Sequence, residues 1–353
     1  MDDKVVTAIG TPNKALVMYW GKRNNRLNLP MNSSLSITLD ESLNTRTSIV
    51  FSKKIKRDAI YVNGEKHDLE ARAQNEKMML SKRVIDRMRS LSGTKAKALI
   101  VSRNSFPTST GLASSSSGAA TLVFAASQAL GLKASARELS ILARQISGSG
   151  SRSLMGGFVK WTKGSKPDGS DSYAEQVASE KYWPEVMDII AVFTASKKKV
   201  SSSEGHDLTL KQSKLYFLRP EYAEDRLEAM SDAIRARDFE PLAEMIMRDS
   251  NNMHATMLDT YPPIMYLDDR SREAIYAIHE LNQSEGKNIA AYTFDAGPNA
   301  HVITLRKYKS KVMGMLGELI GDGKILAAGQ GSGPRLLGES ESLIDYRSLK
   351  PTE

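Results

Sequence analysis

Phe106-Pro107-Thr108-Ser109-Thr110-Gly111-Leu112-Ala113 runs into the serines Ser114 to Ser117 and then into the small, apolar stretch Gly118 to Leu130. Ahead of it, Ala98 to Ser102 is a short run of apolar and β-branched residues. The order is that of a strand, a glycine turn and a buried helix. Gly111 suits the tight turn. Where the helix begins, unpaired N–H groups and about half a positive charge from the helix dipole converge, and such an end attracts a phosphate. Serine runs also cap helices that bind nothing, so this loop alone leaves both readings open.

Towards the N-terminus, Ala15 to Trp20, Ser34 to Leu39, Arg46 to Phe51 and Ala59 to Val62 read as strands. Leu69 to Leu91 then carries Met78, Met79, Val84, Ile85 and Met88 at helical spacing. Towards the C-terminus, Ala136 to Gln145 has a helical pattern and Phe158 to Trp161 a strand-like one. Pro220 to Arg237, Glu240 to Met257 and Arg270 to Asn282 are amphipathic helices, interrupted by strands at Ile189 to Ala195 and Ala290 to Phe294. A strand-rich half is thus followed by a helix-rich half, with no Gly/Ser-rich or Pro-rich linker between them. The expectation is an α+β chain of two lobes, residues 1–187 and 188–353, sharing one cleft.

Composition narrows the chemistry. A chain of 353 residues can bury a large core, and without an apolar run near the roughly 18 residues of a membrane span it reads as a protein of the cell interior. With no cysteine, there is no thiolate nucleophile, disulfide or Cys-based zinc site. The histidines, at 67, 206, 254, 279 and 301, lack metal-ligand spacing, so no metal site is expected. The +8 net charge lies partly in short clusters at Lys53 to Arg57, Lys197 to Lys199 and Arg306 to Lys311 that lack interleaved aromatics, so neither nucleic acid nor membrane is the expected partner.

Two further segments have the residue types of a site. Ser147-Gly148-Ser149-Gly150-Ser151-Arg152-Ser153 could be a linker, but a linker has no need of its arginine. Small residues admit a ligand close to the backbone, and a guanidinium can hold a carboxylate or phosphate through two parallel hydrogen bonds. Asp295 ends an apolar strand in a turn with Gly297 and Pro298. A carboxylate there is either a turn former or a buried functional charge, and context must decide.

Together these segments resemble the GHMP small-molecule kinases, and within them the mevalonate diphosphate decarboxylases. The resemblance runs through Tyr19-Trp20-Gly21-Lys22-Arg23, Leu29 to Ser36, Asn104 to Ser115, Ser147 to Gly157, Asn252 to Pro263, Tyr292 to Ala300 and Gly331 to Pro334, covering almost the whole chain. It implies a GHMP-kinase two-lobed fold with the ligand in the cleft, a homodimer and a cytoplasmic place in isoprenoid precursor synthesis. By the same resemblance, Asp295 is the catalytic aspartate and Arg152 grips the substrate carboxylate. Ser147 and Ser149 contact substrate, Tyr19 and Lys22 meet its phosphoryl tail, and Arg72 is a cation near the site. Gly111, Ser114 and Ser115 belong to the phosphate loop.

Three positions depart from the family pattern. The residue before Tyr-Trp-Gly-Lys is usually a lysine beside the aspartate; here it is Met18. His206, taken as a further substrate-binding residue, stands where methionine is usual, and Lys14 where an apolar residue is usual. With that cation missing, phosphoryl transfer should be weakened while release of an existing phosphate is spared. The expectation is therefore decarboxylation of mevalonate 3,5-bisphosphate to isopentenyl phosphate with no cofactor, as in a bisphosphomevalonate branch of archaeal relatives. The alternative is the ordinary diphosphomevalonate decarboxylase, which uses ATP and Mg²⁺ to make isopentenyl diphosphate, with Lys14 or His206 supplying the charge. A 5-monophosphate-specific decarboxylase, a mevalonate 3-kinase and an RNA-binding module are remoter readings.

Overall fold

The structure is a computed structural model that describes residues 3–71, 76–106, 114–193, 199–321 and 323–352. Its helices are α1 (Glu76–Ser92), α2 (Ser114–Ala129), α3 (Ala136–Ile146), α4 (Ser202–Gln212), α5 (Arg219–Ala236), α6 (Phe239–Leu258), α7 (Asp269–Ser284) and α8 (Lys309–Ile320). Several helix ends follow from local sequence. Ser135 and Glu138 close a reciprocal capping box on α3, and Asp268 with Ser271 does the same for α7. Arg237 takes a left-handed conformation (φ 52°) that ends α5 and turns the chain into α6.

A six-stranded sheet has the spatial order Arg335–Leu336, Val6–Gly10, Thr45–Ser52, Lys97–Asn104, Ala59–Val62, Glu65–Asp68. One core cluster joins this sheet to α1, α2 and α3. The end of the chain returns to the same sheet. Leu343 and Ile344 are buried with Val5, Val50, Leu99 and Val101. A four-stranded sheet follows, ordered Ala174–Ala178, Phe158–Trp161, Ser34–Thr38, Asn13–Val17. A second four-stranded sheet is ordered Ala290–Thr293, Ala300–Leu305, Val186–Val192, Lys324–Ala328.

The largest core lies between those two smaller sheets. Leu16, Val17, Leu35, Ile37 and Phe158 from one meet Ile189, Ile190, Val302 and Ile303 from the other through the apolar faces of α5 and α6. Apolar burial of this kind stabilises by roughly 25 cal/mol per Å², so the two halves of the sequence are joined by a common core.

The structure differs from the sequence reading at some boundaries. The Ala15-to-Trp20 run is strand only through Val17, because the backbone groups of the next residues are taken by side chains from elsewhere. The Leu69-to-Leu91 run is helical from Glu76, since Leu69 and Glu70 finish the Glu65–Asp68 hairpin. The strand expected at Ile189 to Ala195 runs from Val186 to Val192, and residues 194 and 195 lie outside the described residues. Among the described residues no helix is long and apolar enough to cross a membrane.

Candidate active site

Lys14 is the sharpest feature of the cleft. It sits mid-strand in Asn13–Val17, is almost wholly buried, and its Nζ donates to Asp295 Oδ1 at 2.8 Å. Asp295 keeps a third of its side chain exposed. A buried ammonium needs a partner to offset its desolvation, and here the partner opens onto solvent. A buried ammonium thus lies beside Asp295, contributed from position 14 rather than 18. Met18 itself is buried in an apolar cluster with Ala15, Met253, Met257 and Ala296, the neighbour of Asp295.

Arg152 lies in a short 3-10 turn, Gly148–Leu154, and is 2% exposed. Its Nε and Nη2 donate to Asn13 Oδ1 at 3.2 and 3.0 Å, and its Nη1 donates to Ser34 Oγ at 2.6 Å. Among the described residues three of the five guanidinium N–H groups are thus engaged, one on each terminal nitrogen being left over. Asn13 in turn donates to Ser149 O and Ser153 Oγ at 2.9 and 2.8 Å, fixing the turn to the strand that carries Lys14. Burial pulls the guanidinium down to about 10, opposed by Tyr19 and Asp295. It remains charged at neutral pH.

Tyr19 stacks edge-on against Trp161 with ring centroids 4.9 Å apart. Gly148 makes room for it, since a Cβ there would come within 2.8 Å of the Tyr19 hydroxyl. Burial raises that hydroxyl to about 12, so it acts as a neutral donor. Asp295 is close enough to influence Tyr19, Arg152 and His254. His254, on α6, is lowered to about 4, chiefly by burial, and is neutral.

The segment Met18 to Gly21 is gripped by side chains. Asp249 Oδ2 accepts the Met18 N–H at 2.9 Å, and Arg219 Nη2 donates to the Met18 carbonyl at 2.7 Å. Arg219 and Asp249 form a fully buried ion pair at 2.7 Å. Asn32 donates to the Met18 carbonyl and the Tyr216 hydroxyl donates to the Trp20 carbonyl. Gly21 has φ +80°, and a Cβ there would run into the Tyr216 ring. Lys22, next in the chain, is lowered by burial, with Glu76 and Asp207 opposing.

His206 does not provide a second cation. It is 4% exposed, and burial first, then the Lys22 charge, holds its pKa well below the usual histidine value. Its Nδ1 accepts the Gly21 N–H at 2.8 Å.

The serine motifs meet as well. Ser147 Oγ donates to Ser115 Oγ at 3.3 Å and lies 3.3 Å from Ser149 Oγ, so the N-terminal end of α2 faces the Arg152 turn. Gly111 and Arg72 lie outside the described residues, as does the side chain of Ser114. No group of three or more His, Asp or Glu side chains among the described residues is placed to hold a metal ion.

Sequence reasoning missed Asn13, Asp249 and Arg219, and left Lys14 undecided. The available signal was polar type in an apolar setting: Asn13 and Lys14 precede Ala15-Leu16-Val17, and Asp249 follows Met245-Ile246-Met247 by two residues.

The N-terminal part, residues 10–174, matches the diphosphomevalonate decarboxylase-like N-terminal domain, and residues 188–334 match the mevalonate 5-diphosphate decarboxylase C-terminal domain. The chain is 44% identical over 314 residues to the diphosphomevalonate decarboxylase of Danio rerio, covering 87% of this chain and 78% of that one. The solved mevalonate diphosphate decarboxylase of Staphylococcus aureus superposes with a TM-score of 0.86 at 34% identity, over 95% of this chain and 98% of that one. That of Enterococcus faecalis, solved for its mevalonate diphosphate-mediated ATP binding, gives 0.83 at 33% identity, over 95% and 99%. The family models, relatives and fold together define a carboxy-lyase on the two-lobed GHMP-kinase fold. The chain belongs to the diphosphomevalonate decarboxylase family.

Proposed function

We propose that this enzyme converts mevalonate 5-diphosphate and ATP to isopentenyl diphosphate, ADP, phosphate and CO2. The observation that carries the reading is the Lys14–Asp295 pair, which removes the reason for expecting an ATP-free reaction. The similarity to a decarboxylase solved for ATP binding points the same way. Mg²⁺ would arrive with the triphosphate. The test is whether CO2 and ADP appear together.

In this reading Arg152 holds the C1 carboxylate with its two remaining N–H groups, while Tyr19 and Lys22 meet the 5-diphosphate. Asp295 faces the 3-hydroxyl, orienting it and accepting its proton as the γ-phosphoryl group of ATP is transferred. Lys14 offsets the charge on that group in transit. The proton then passes from Asp295 to solvent on its exposed side, and as the C3–O bond breaks and the phosphate leaves, the positive charge developing at C3 is stabilised by the ionised carboxylate. The C1–C2 electron pair closes the new double bond as CO2 departs. The Ser115 end of α2 faces the triphosphate.

Arg152→Lys is expected to lower kcat/KM by on the order of a hundredfold despite conserving charge, because an ammonium cannot reproduce the fork held by Asn13 and Ser34. Wild-type kinetic constants in that variant would show that only charge matters there.

The lobes are proposed to divide at 187/188, with residues 335–352 returning to the first. The homodimer is proposed to form on an apolar surface at one end of α6. Leu215, Phe217, Leu218, Leu258, Tyr261 and Met265 are between 51% and 88% exposed, and Leu215 N donates to Asp259 Oδ2, joining the two strips. At about 150–250 Å² per large side chain this exposes on the order of 600–1,000 Å², around the share one partner contributes to a stable interface. Exposed Lys214 and Glu221 flank the patch, so a two-fold contact can set each against the other's copy. Sedimentation should give a dimer that Phe217→Asp converts to monomer; a monomeric parent would contradict this.

A further inference from the structure

α4 is docked on the Tyr19-to-Lys22 segment by a single face. Gly205 lies so close that a Cβ there would come within 3.0 Å of the Trp20 ring, and Thr209 Oγ1 accepts the Trp20 indole N–H at 3.0 Å. Between them stands His206. Its ring is stacked on Trp20, with centroids 4.1 Å apart and planes 29° off parallel, and on Tyr19 at 5.0 Å and 20°. With Trp161 beyond Tyr19, four rings form a continuous column from the Phe158–Trp161 strand to α4.

The hydrogen bond from Gly21 N–H to Nδ1 requires a lone pair there, so a neutral His206 must carry its proton on Nε2. An imidazolium would set two donors against each other, and burial together with Lys22 disfavours that form. Methionine, usual here in the family pattern, offers only a weak acceptor.

We propose that His206 is a positioning residue for the substrate-tail segment: as the neutral Nε2–H tautomer it accepts the Gly21 N–H and stacks between Tyr19 and Trp20, thereby setting Tyr19 and Lys22. The role rests on the reading that Tyr19 and Lys22 meet the 5-diphosphate. Misplaced tail ligands weaken binding of ground and transition state alike, so the effect falls on KM more than on kcat.

The test has two arms. In protein carrying ¹⁵N-labelled histidine, the His206 signals, assigned by their loss in His206→Asn, should show the Nε2–H tautomer between pH 6 and 8; an Nδ1–H or doubly protonated ring overturns the proposal. In steady-state kinetics with mevalonate 5-diphosphate and ATP, His206→Phe keeps a ring but removes the acceptor, and should raise KM about tenfold with kcat within about threefold. His206→Asn, whose Oδ1 falls near the Nδ1 position, should keep KM within about threefold. An unchanged KM in the Phe variant, or equal losses in both, overturns the proposal. If the Phe variant fails to fold, the tautomer in the parent decides. A parent that does not turn over this substrate pair sinks the functional reading, while the tautomer still judges His206.

Discussion

Asp295→Asn is expected to lower CO2 release by on the order of a hundredfold or more with the fold intact. The amide has nearly the shape of the carboxylate, and its oxygen can still accept from Lys14 Nζ, now 2.8 Å from Asp295 Oδ1. What disappears is the negative charge that faces C3 as the phosphate leaves. The exchange also leaves a buried ammonium without its counter-ion, so a modest fall in melting temperature accompanies the loss. Turnover within a few-fold of the parent would make Asp295 a turn former.

Lys14→Met should cost on the order of a hundredfold in kcat, read as ADP release, because a group stabilising charge on the transferring phosphoryl is removed. Asp295 can be hydrated from its exposed side, so this variant folds. Met18 packs in the cluster that contains Ala296, beside Asp295. A lysine at 18 can therefore reach the same carboxylate, and the double exchange Lys14→Met with Met18→Lys is expected to recover activity to within about tenfold of the parent. If Lys14→Met alone leaves ADP release untouched, the ion pair is structural.

Much of this site was legible in the residues. Arg152 stood out because an arginine among glycines and serines has no linker role, whereas Asp295 at its strand end could equally have been a turn former and was singled out only by the resemblance. The Ser147–Gly157 turn was marked by its run of small residues, and it lies against Ser115 at the start of α2. Lys14 was seen as a departure, but it lies 281 positions from Asp295 along the chain, so whether the two met could only be settled in three dimensions. The cross-lobe grip on Met18 to Gly21 was invisible because each partner looks locally like an ordinary helix residue. α4 escaped notice since Ser202–Gln212 has few apolar positions to mark a face, and the Ala300–Leu305 strand is interrupted by the buried His301. The return of the chain to the first sheet at Arg335–Leu336 has only two paired residues and no sequence pattern of its own.

The most direct measurement is CO2 release by the purified enzyme from mevalonate 5-diphosphate, with and without ATP, alongside mevalonate 3,5-bisphosphate without nucleotide. The account predicts CO2 from the 5-diphosphate only when ATP is present, with one ADP formed per CO2, and little from the bisphosphate. CO2 released from the bisphosphate in the absence of nucleotide, with the 5-diphosphate inert in the presence of ATP, would contradict it and return Met18 to the centre of the explanation.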